Sequence, residues 1–115
     1  MNGLSQKRTV DSIELETLIK ERAEGKIDFL LVDVRKESEY KRAHIKGVDI
    51  LRPTSLFYEW SPELMEENKD KMIIFTCRTD HRSGQIQGAF RANGYENSIN
   101  HLDGIVSYNG ELVRV

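Results

Sequence analysis

One cysteine, two prolines and one tryptophan are all that the 115 residues hold of these three types. A lone cysteine rules out an intrachain disulfide, so Cys77 serves as a buried small side chain, a reactive thiol or an intermolecular partner. No segment approaches the ~20 apolar residues of a membrane span, and the opening MNGLSQKRTV lacks an apolar stretch of signal-peptide length. A cytoplasmic protein is expected. An excess of one charge is also missing: 17 Lys and Arg stand against 19 Asp and Glu, for a net charge of −2. The two signs are interleaved, which argues against a nucleic-acid or membrane partner. Repeats, low-complexity tracts and linkers are absent too, so residues 1–115 are expected to form one domain. A chain of this length can bury roughly two thirds of the surface its unfolded form exposes.

What is present reads as alternating strands and helices. Asp11 and Glu14 have capping-box spacing, and Leu15, Leu18 and Ile19 then share one helical face until Gly25 ends the pattern. FLLVD at residues 29–33 is an apolar run ending in a carboxylate, as in a strand buried on both faces of a parallel sheet. Residues 36–43 predict a short polar helix, and residues 48–51 a second apolar strand piece. Ser61-Pro62-Glu63 predicts a helix start with Ser61 as N-cap and Pro62 at the first helical position, running to residue 68. Residues 72–76 predict a third strand and residues 82–92 a helix stopped by Asn93-Gly94. Residues 98–102 are the fourth strand candidate, and residues 104–108 a last helical turn. Phe57, Tyr58 and Trp60 are expected in the core or a cleft wall. This alternation implies an α/β layer around a mainly parallel sheet.

Ligands of such sheets sit beyond the carboxyl ends of the strands, and there the chain reads CRTDHRS, residues 77–83. Cys77 falls between a strand and the next helix, where loop N–H groups and the helix end can hold a thiolate or an anion. Arg78 and Arg82 add positive charge, Asp80 opposes them, and a thiolate is favoured by such surroundings. Arg82 can instead point to solvent or pair with a carboxylate. His81 can simply be solvated, and Thr79 offers mainly its backbone N–H. Cys77, His44, His81 and His101 show no zinc-type spacing, and no cofactor is implied.

The ordered set LVDVR at 31–35, Glu39-Tyr40, AHIKG at 43–47, the Cys77 loop, Gly94-Tyr95 and LDGI at 102–105 resembles a single-domain rhodanese. The resemblance spans roughly residues 11–110. It implies a three-layer domain with a central, mostly parallel five-stranded sheet flanked by helices, the active-site cysteine following the fourth strand. It also implies that Cys77 is a nucleophile carrying sulfane sulfur as a persulfide, with Arg78, Thr79, Asp80, His81 and Arg82 binding substrate. The donor would be a small anion such as thiosulfate, and the acceptor cyanide, a small thiol or a protein thiol. Asp33, Arg35, Glu39 and His44 would be structural, pinning the first short helix. The loop departs from the family at Asp80, where many members have glycine; aspartate tolerates a left-handed backbone but weakens an anion site. The alternatives are a non-enzymatic sulfur carrier or interaction module, and a Cdc25-type phosphatase or arsenate reductase. The last two have a cysteine-to-arginine loop one residue longer.

Overall fold

Apolar runs that end in polar residues, separated by capped helices, leave this chain one way to bury its strands: side by side with helices on both faces. In the computed structural model, residues 8–115 are described; the expectation drawn from the opening residues falls mostly on residues 1–7, outside the described residues. In chain order the elements are β1 (Thr9–Val10), α1 (Ser12–Ala23), β2 (Leu30–Asp33), α2 (Glu37–Arg42), β3 (His44–Ile45), β4 (Ile50–Leu51), α3 (Phe57–Glu67), β5 (Ile73–Thr76), α4 (His81–Ala92), β6 (Ser98–His101) and β7 (Leu112–Val113). Single 3₁₀ turns, Thr54–Leu56 and Ile105–Ser107, precede α3 and β7. No helix among the described residues is long and apolar enough to cross a membrane.

Five strands form one sheet in the order β1-β6-β5-β2-β4, with every pairing parallel. β3 and β7 make a separate antiparallel pair. Side chains alternate across the central strands, and the two faces bury different sets. Val32, Phe75, Cys77, Ile86, Phe90 and Trp60 pack on the α3/α4 side. Leu31, Ile74, Ile99, Leu15 and Tyr108 pack on the α1 side.

The capping box at Asp11 and Glu14 forms as the spacing predicts: the Glu14 N–H donates to Asp11 Oδ1 at 2.8 Å and the Asp11 N–H to Glu14 Oε1 at 3.0 Å. Gly25, with φ +79°, follows the helix end. The start of α3 differs from expectation. It begins at Phe57 rather than after Ser61, and Pro62 lies inside the helix. Packing overrides the proline signal here. Trp60 is buried in the core, its Nε1–H donates to the Pro53 carbonyl at 2.8 Å, and Phe57 stacks edge-on against it. The helix therefore extends upstream to deliver both rings, while Tyr58 is 90% exposed and belongs neither to the core nor to a wall.

Candidate active site

β5 ends at Thr76, and the chain leaves the sheet through residues 77–80 before α4 begins. Cys77 therefore sits at the carboxyl edge shared by all five parallel strands, following the fourth of them in chain order. Its side chain is only 1% exposed. The first turn of α4 folds back over it. The Ser83 N–H donates to Sγ at 3.4 Å, and the Ser83 hydroxyl lies 3.2 Å from Sγ. The N-terminal turn of a helix thus packs against the sulfur.

The rest of the loop faces outward. Arg78, Thr79 and His81 are exposed and Asp80 is half-buried. The backbone N–H groups of Arg78, Thr79, Asp80, His81 and Arg82 meet no acceptor among the described residues. Five consecutive donors of this kind beside a helix start have the composition of an anion nest. Arg78 adds a guanidinium without an ion-pair partner among the described residues.

Arg82 is engaged otherwise. Its guanidinium makes a bidentate pair with Glu39, Nη1 to Oε1 at 2.7 Å and Nη2 to Oε2 at 3.0 Å. Hydrogen bonding from Arg82 holds the Glu39 carboxyl down to about 2 and raises Arg82 in turn. The pair ties the first turn of α4 to α2, so the net charge facing the loop is that of Arg78 and Asp80. The sequence supplies both partners but not their meeting, since 43 residues separate them.

At Asp80 the structure corrects an expectation. Its φ of −168° is extended backbone, open to any residue, so no left-handed conformation needs glycine there. The glycine requirement lies across the loop at Gly104, with φ +68° and ψ −166°. A Cβ at Gly104 would collide with the carbonyl oxygens of Arg78 and Thr79. The same segment braces the loop, the Ile105 N–H donating to the Cys77 carbonyl at 2.9 Å and the Val106 N–H to that of Arg78 at 3.1 Å.

Asp33 and Arg35 form a buried pair at 2.8 Å, and Arg35 also donates to the Ala43 carbonyl at 2.7 Å, closing the ends of α2. His44 stacks on Tyr40 with ring centroids 3.7 Å apart and bonds through Nδ1 to the Tyr40 carbonyl oxygen. His101 is fully buried between Thr76 Oγ1 at 2.7 Å and Ser12 Oγ at 2.8 Å, and burial pushes its imidazole down to about 4. No group of three His, Cys, Asp or Glu among the described residues is arranged to hold a metal.

A parallel sheet with a cysteine opening the loop after its fourth strand agrees with the family model of the rhodanese-like domain, which matches residues 14–110. The chain belongs to the rhodanese-like domain family. A tRNA uridine(34) hydroxylase of Photorhabdus laumondii is 32% identical over 84 residues, covering 70% of this chain and 24% of that protein. The chain spans about a quarter of the length of the curated relatives it matches. Among solved structures, a rhodanese-related protein from Thermoplasma volcanium superposes with a TM-score of 0.76 at 23% identity, covering 92% of this chain and 97% of that one. The rhodanese-like domain of an Anabaena protein gives 0.74 at 22% identity, covering 95% and 80%. These structures share the fold. Ser83, Asn100, Gly104 and Glu39 complete the surroundings of the candidate site at the Cys77 loop. Glu39 stood in a motif of the sequence as a structural residue, Gly104 in LDGI and Ser83 at the end of the Cys77 loop, each without an assigned role, and Asn100 stood in none.

Proposed function

We propose that this rhodanese-like domain is a sulfurtransferase that carries sulfane sulfur on Cys77. The observation behind this reading is the pairing of a helix-capped cysteine sulfur with the five acceptor-free N–H groups of residues 78–82. In the first half-reaction the Cys77 thiolate attacks the outer sulfur of thiosulfate. The new Sγ–Sδ bond forms as the bond to the sulfonyl sulfur breaks, and that electron pair leaves with sulfite. The charge of the persulfide then sits on Sδ, one bond further out than on the thiolate. The loop N–H groups and Arg78 suit both this charge and the anionic donor. In the second half-reaction cyanide or a thiolate attacks Sδ, the Sγ–Sδ bond breaks, and Cys77 returns as thiolate.

The hydroxylase relatives share about this one domain, so their RNA-directed chemistry is not carried over. A protein thiol is the natural acceptor class for a sulfur as deeply placed as Cys77, because a slender extended group reaches it while a flat surface does not. The test is thiocyanate formation from cyanide with either thiosulfate or inorganic polysulfide as donor. The wild type turns over with at least one donor and Cys77→Ser with neither. Equal rates for the two proteins with both donors would sink the assignment.

A further inference from the structure

Against Cys77 lies a pair of buried polar side chains, Ser83 and Asn100, that the two half-reactions above leave unused. Ser83 Oγ is 3.2 Å from Sγ and 2.5 Å from Asn100 Oδ1, with a third, longer contact of 3.3 Å to the Asp80 carbonyl oxygen. Ser83 is completely buried, and Asn100 is 6% exposed. Asn100 stands in β6 between β1 and β5, its backbone fixed by pairing with Phe75 on one side and Thr9 on the other.

A serine hydroxyl has one proton to give. Asn100 Oδ1 can only accept, and at 2.5 Å it accepts that one hydrogen bond from the serine hydroxyl. What Ser83 then presents to Cys77 is a lone pair. A lone pair matches a neutral S–H, which donates to it, and it also tolerates the Sγ of a persulfide, whose charge has moved to Sδ. It does not match a thiolate, which needs a donor. Among the described residues only the Ser83 backbone N–H, at 3.4 Å, serves the bare sulfur anion.

We infer that Asn100 is a positioning residue which, by holding the Ser83 proton, biases Cys77 away from the bare thiolate and toward the thiol and persulfide states. The inference rests on the sulfur-carrier reading for its persulfide half but not for its thiol half. Its consequence is a site better suited to keeping sulfur than to releasing it. Discharge breaks the Sγ–Sδ bond and leaves the electron pair on Sγ, where the serine hydroxyl, turned toward Asn100, gives no help. Charge on Sδ, in contrast, faces the loop N–H groups. This domain would therefore hand its sulfur to an acceptor that binds and activates the persulfide, and discharge only slowly to free small nucleophiles.

The test is the rate of iodoacetamide alkylation of Cys77 against pH in Asn100→Leu, which keeps the size of the side chain and removes the acceptor. Freed from Oδ1, the Ser83 hydroxyl turns to the sulfur, and alkylation at pH 7 rises by about threefold or more, a factor equivalent to about half a pH unit in the profile. In a Ser83→Ala background the same Asn100 change has no effect, because no hydroxyl is left to redirect. A purely structural role for Asn100 would change the melting temperature and leave the pH profile alone. Asn100→Ala provides the same reading if leucine disturbs the sheet. An unchanged or slower rate in folded Asn100 variants overturns the inference, as does an equal increase with and without the Ser83 hydroxyl. Alkylation needs no sulfur donor, so these results stand apart from whether a persulfide forms. Where it does form, cyanide discharge from the Asn100 variant is expected to be faster by a similar factor.

Discussion

Thr76 and Cys77 are neighbours at the end of one strand, yet they belong to opposite faces of the sheet and to two different polar networks. Each network reaches a serine and a side chain of β6. On the α1 face, Thr76 bonds to His101, His101 to Ser12, and Ser12 to Ser107 at 2.6 Å, whose hydroxyl donates on to the Gly104 carbonyl at 3.0 Å. This chain is closed and, with His101 pushed toward its neutral form, uncharged. On the α4 face, Cys77 meets Ser83 and Ser83 meets Asn100, but the loop above is open, with backbone donors that meet no acceptor among the described residues. A satisfied neutral network fixes position; an anion-ready one is left for chemistry. In the sulfurtransferase reading, the contrast separates a buried cysteine that reacts from a buried histidine that holds position.

Gly104→Ala strikes both networks, because Gly104 contacts the loop carbonyls and its own carbonyl accepts from Ser107. The added Cβ combines a backbone conformation reserved for glycine with overpacking, together about 3 kcal/mol or more. Chemical denaturation should show this loss, and sulfur transfer should fall by at least about tenfold through displacement of the loop.

Acid separates the two faces. His101 is held at about 4 by burial, against 6.5 for a free imidazole. Between these values the unfolded chain takes up a proton that the folded chain refuses. Its contribution is complete above pH 6.5 and lost as pH falls toward 4, by at most about 3 kcal/mol. His101→Gln should have lower stability at pH 7 but a flatter profile from 7 to 4. Glu39 acts later, because its contribution is complete above 4.5 and fades as pH falls toward 2. A slope of equal size in His101→Gln would assign the acid loss to other groups.

Glu39→Gln tests whether Arg82 binds substrate or braces the fold. Both side chains are about a quarter exposed, 26% for Glu39 and 27% for Arg82, so losing the charge of the pair should cost about 1–2 kcal/mol. If Arg82 mainly positions α4, kcat falls with little change in KM for thiosulfate. If the freed guanidinium joins the anion site, KM drops instead.

The smallest effect is expected from Asp80→Gly. With φ at −168°, glycine gains nothing from its backbone freedom, so only the charge matters. Removing a screened carboxylate near the loop is worth about 1 kcal/mol, a severalfold gain in kcat/KM for thiosulfate. Comparison at equal folded fraction allows for the larger unfolded-state entropy of glycine. No gain would mean that the Asp80 charge is not felt at the donor.

Much of this domain was legible from local signals. The capping box at Asp11, the apolar runs ending at Asp33 and Thr76, and the placement of Cys77 between strand and helix need only neighbouring residues. β1, β3 and β7 escaped because two-residue strands carry no period, while the equally short β4 was legible through the apolar run at 48–51. The start of α3 escaped because Pro62 is a strong local signal that the packing of Trp60 and Phe57 outweighs. The partners of the loop were illegible for a different reason. Glu39 meets Arg82 across 43 residues and Asn100 meets Ser83 across 17, and such encounters are products of the topology rather than of spacing. The same holds for glycine, expected to matter at Asp80 and required instead at Gly104.

The central claim, that the open face at Cys77 carries sulfur while the closed face at Thr76 only holds the strand, is tested most directly by the mass of the intact protein after incubation with thiosulfate or inorganic polysulfide. The account predicts a gain of one sulfur atom, located on the peptide containing Cys77, removed by a thiol and absent from Cys77→Ser. No gain with either donor, or a gain that persists in Cys77→Ser, would contradict it.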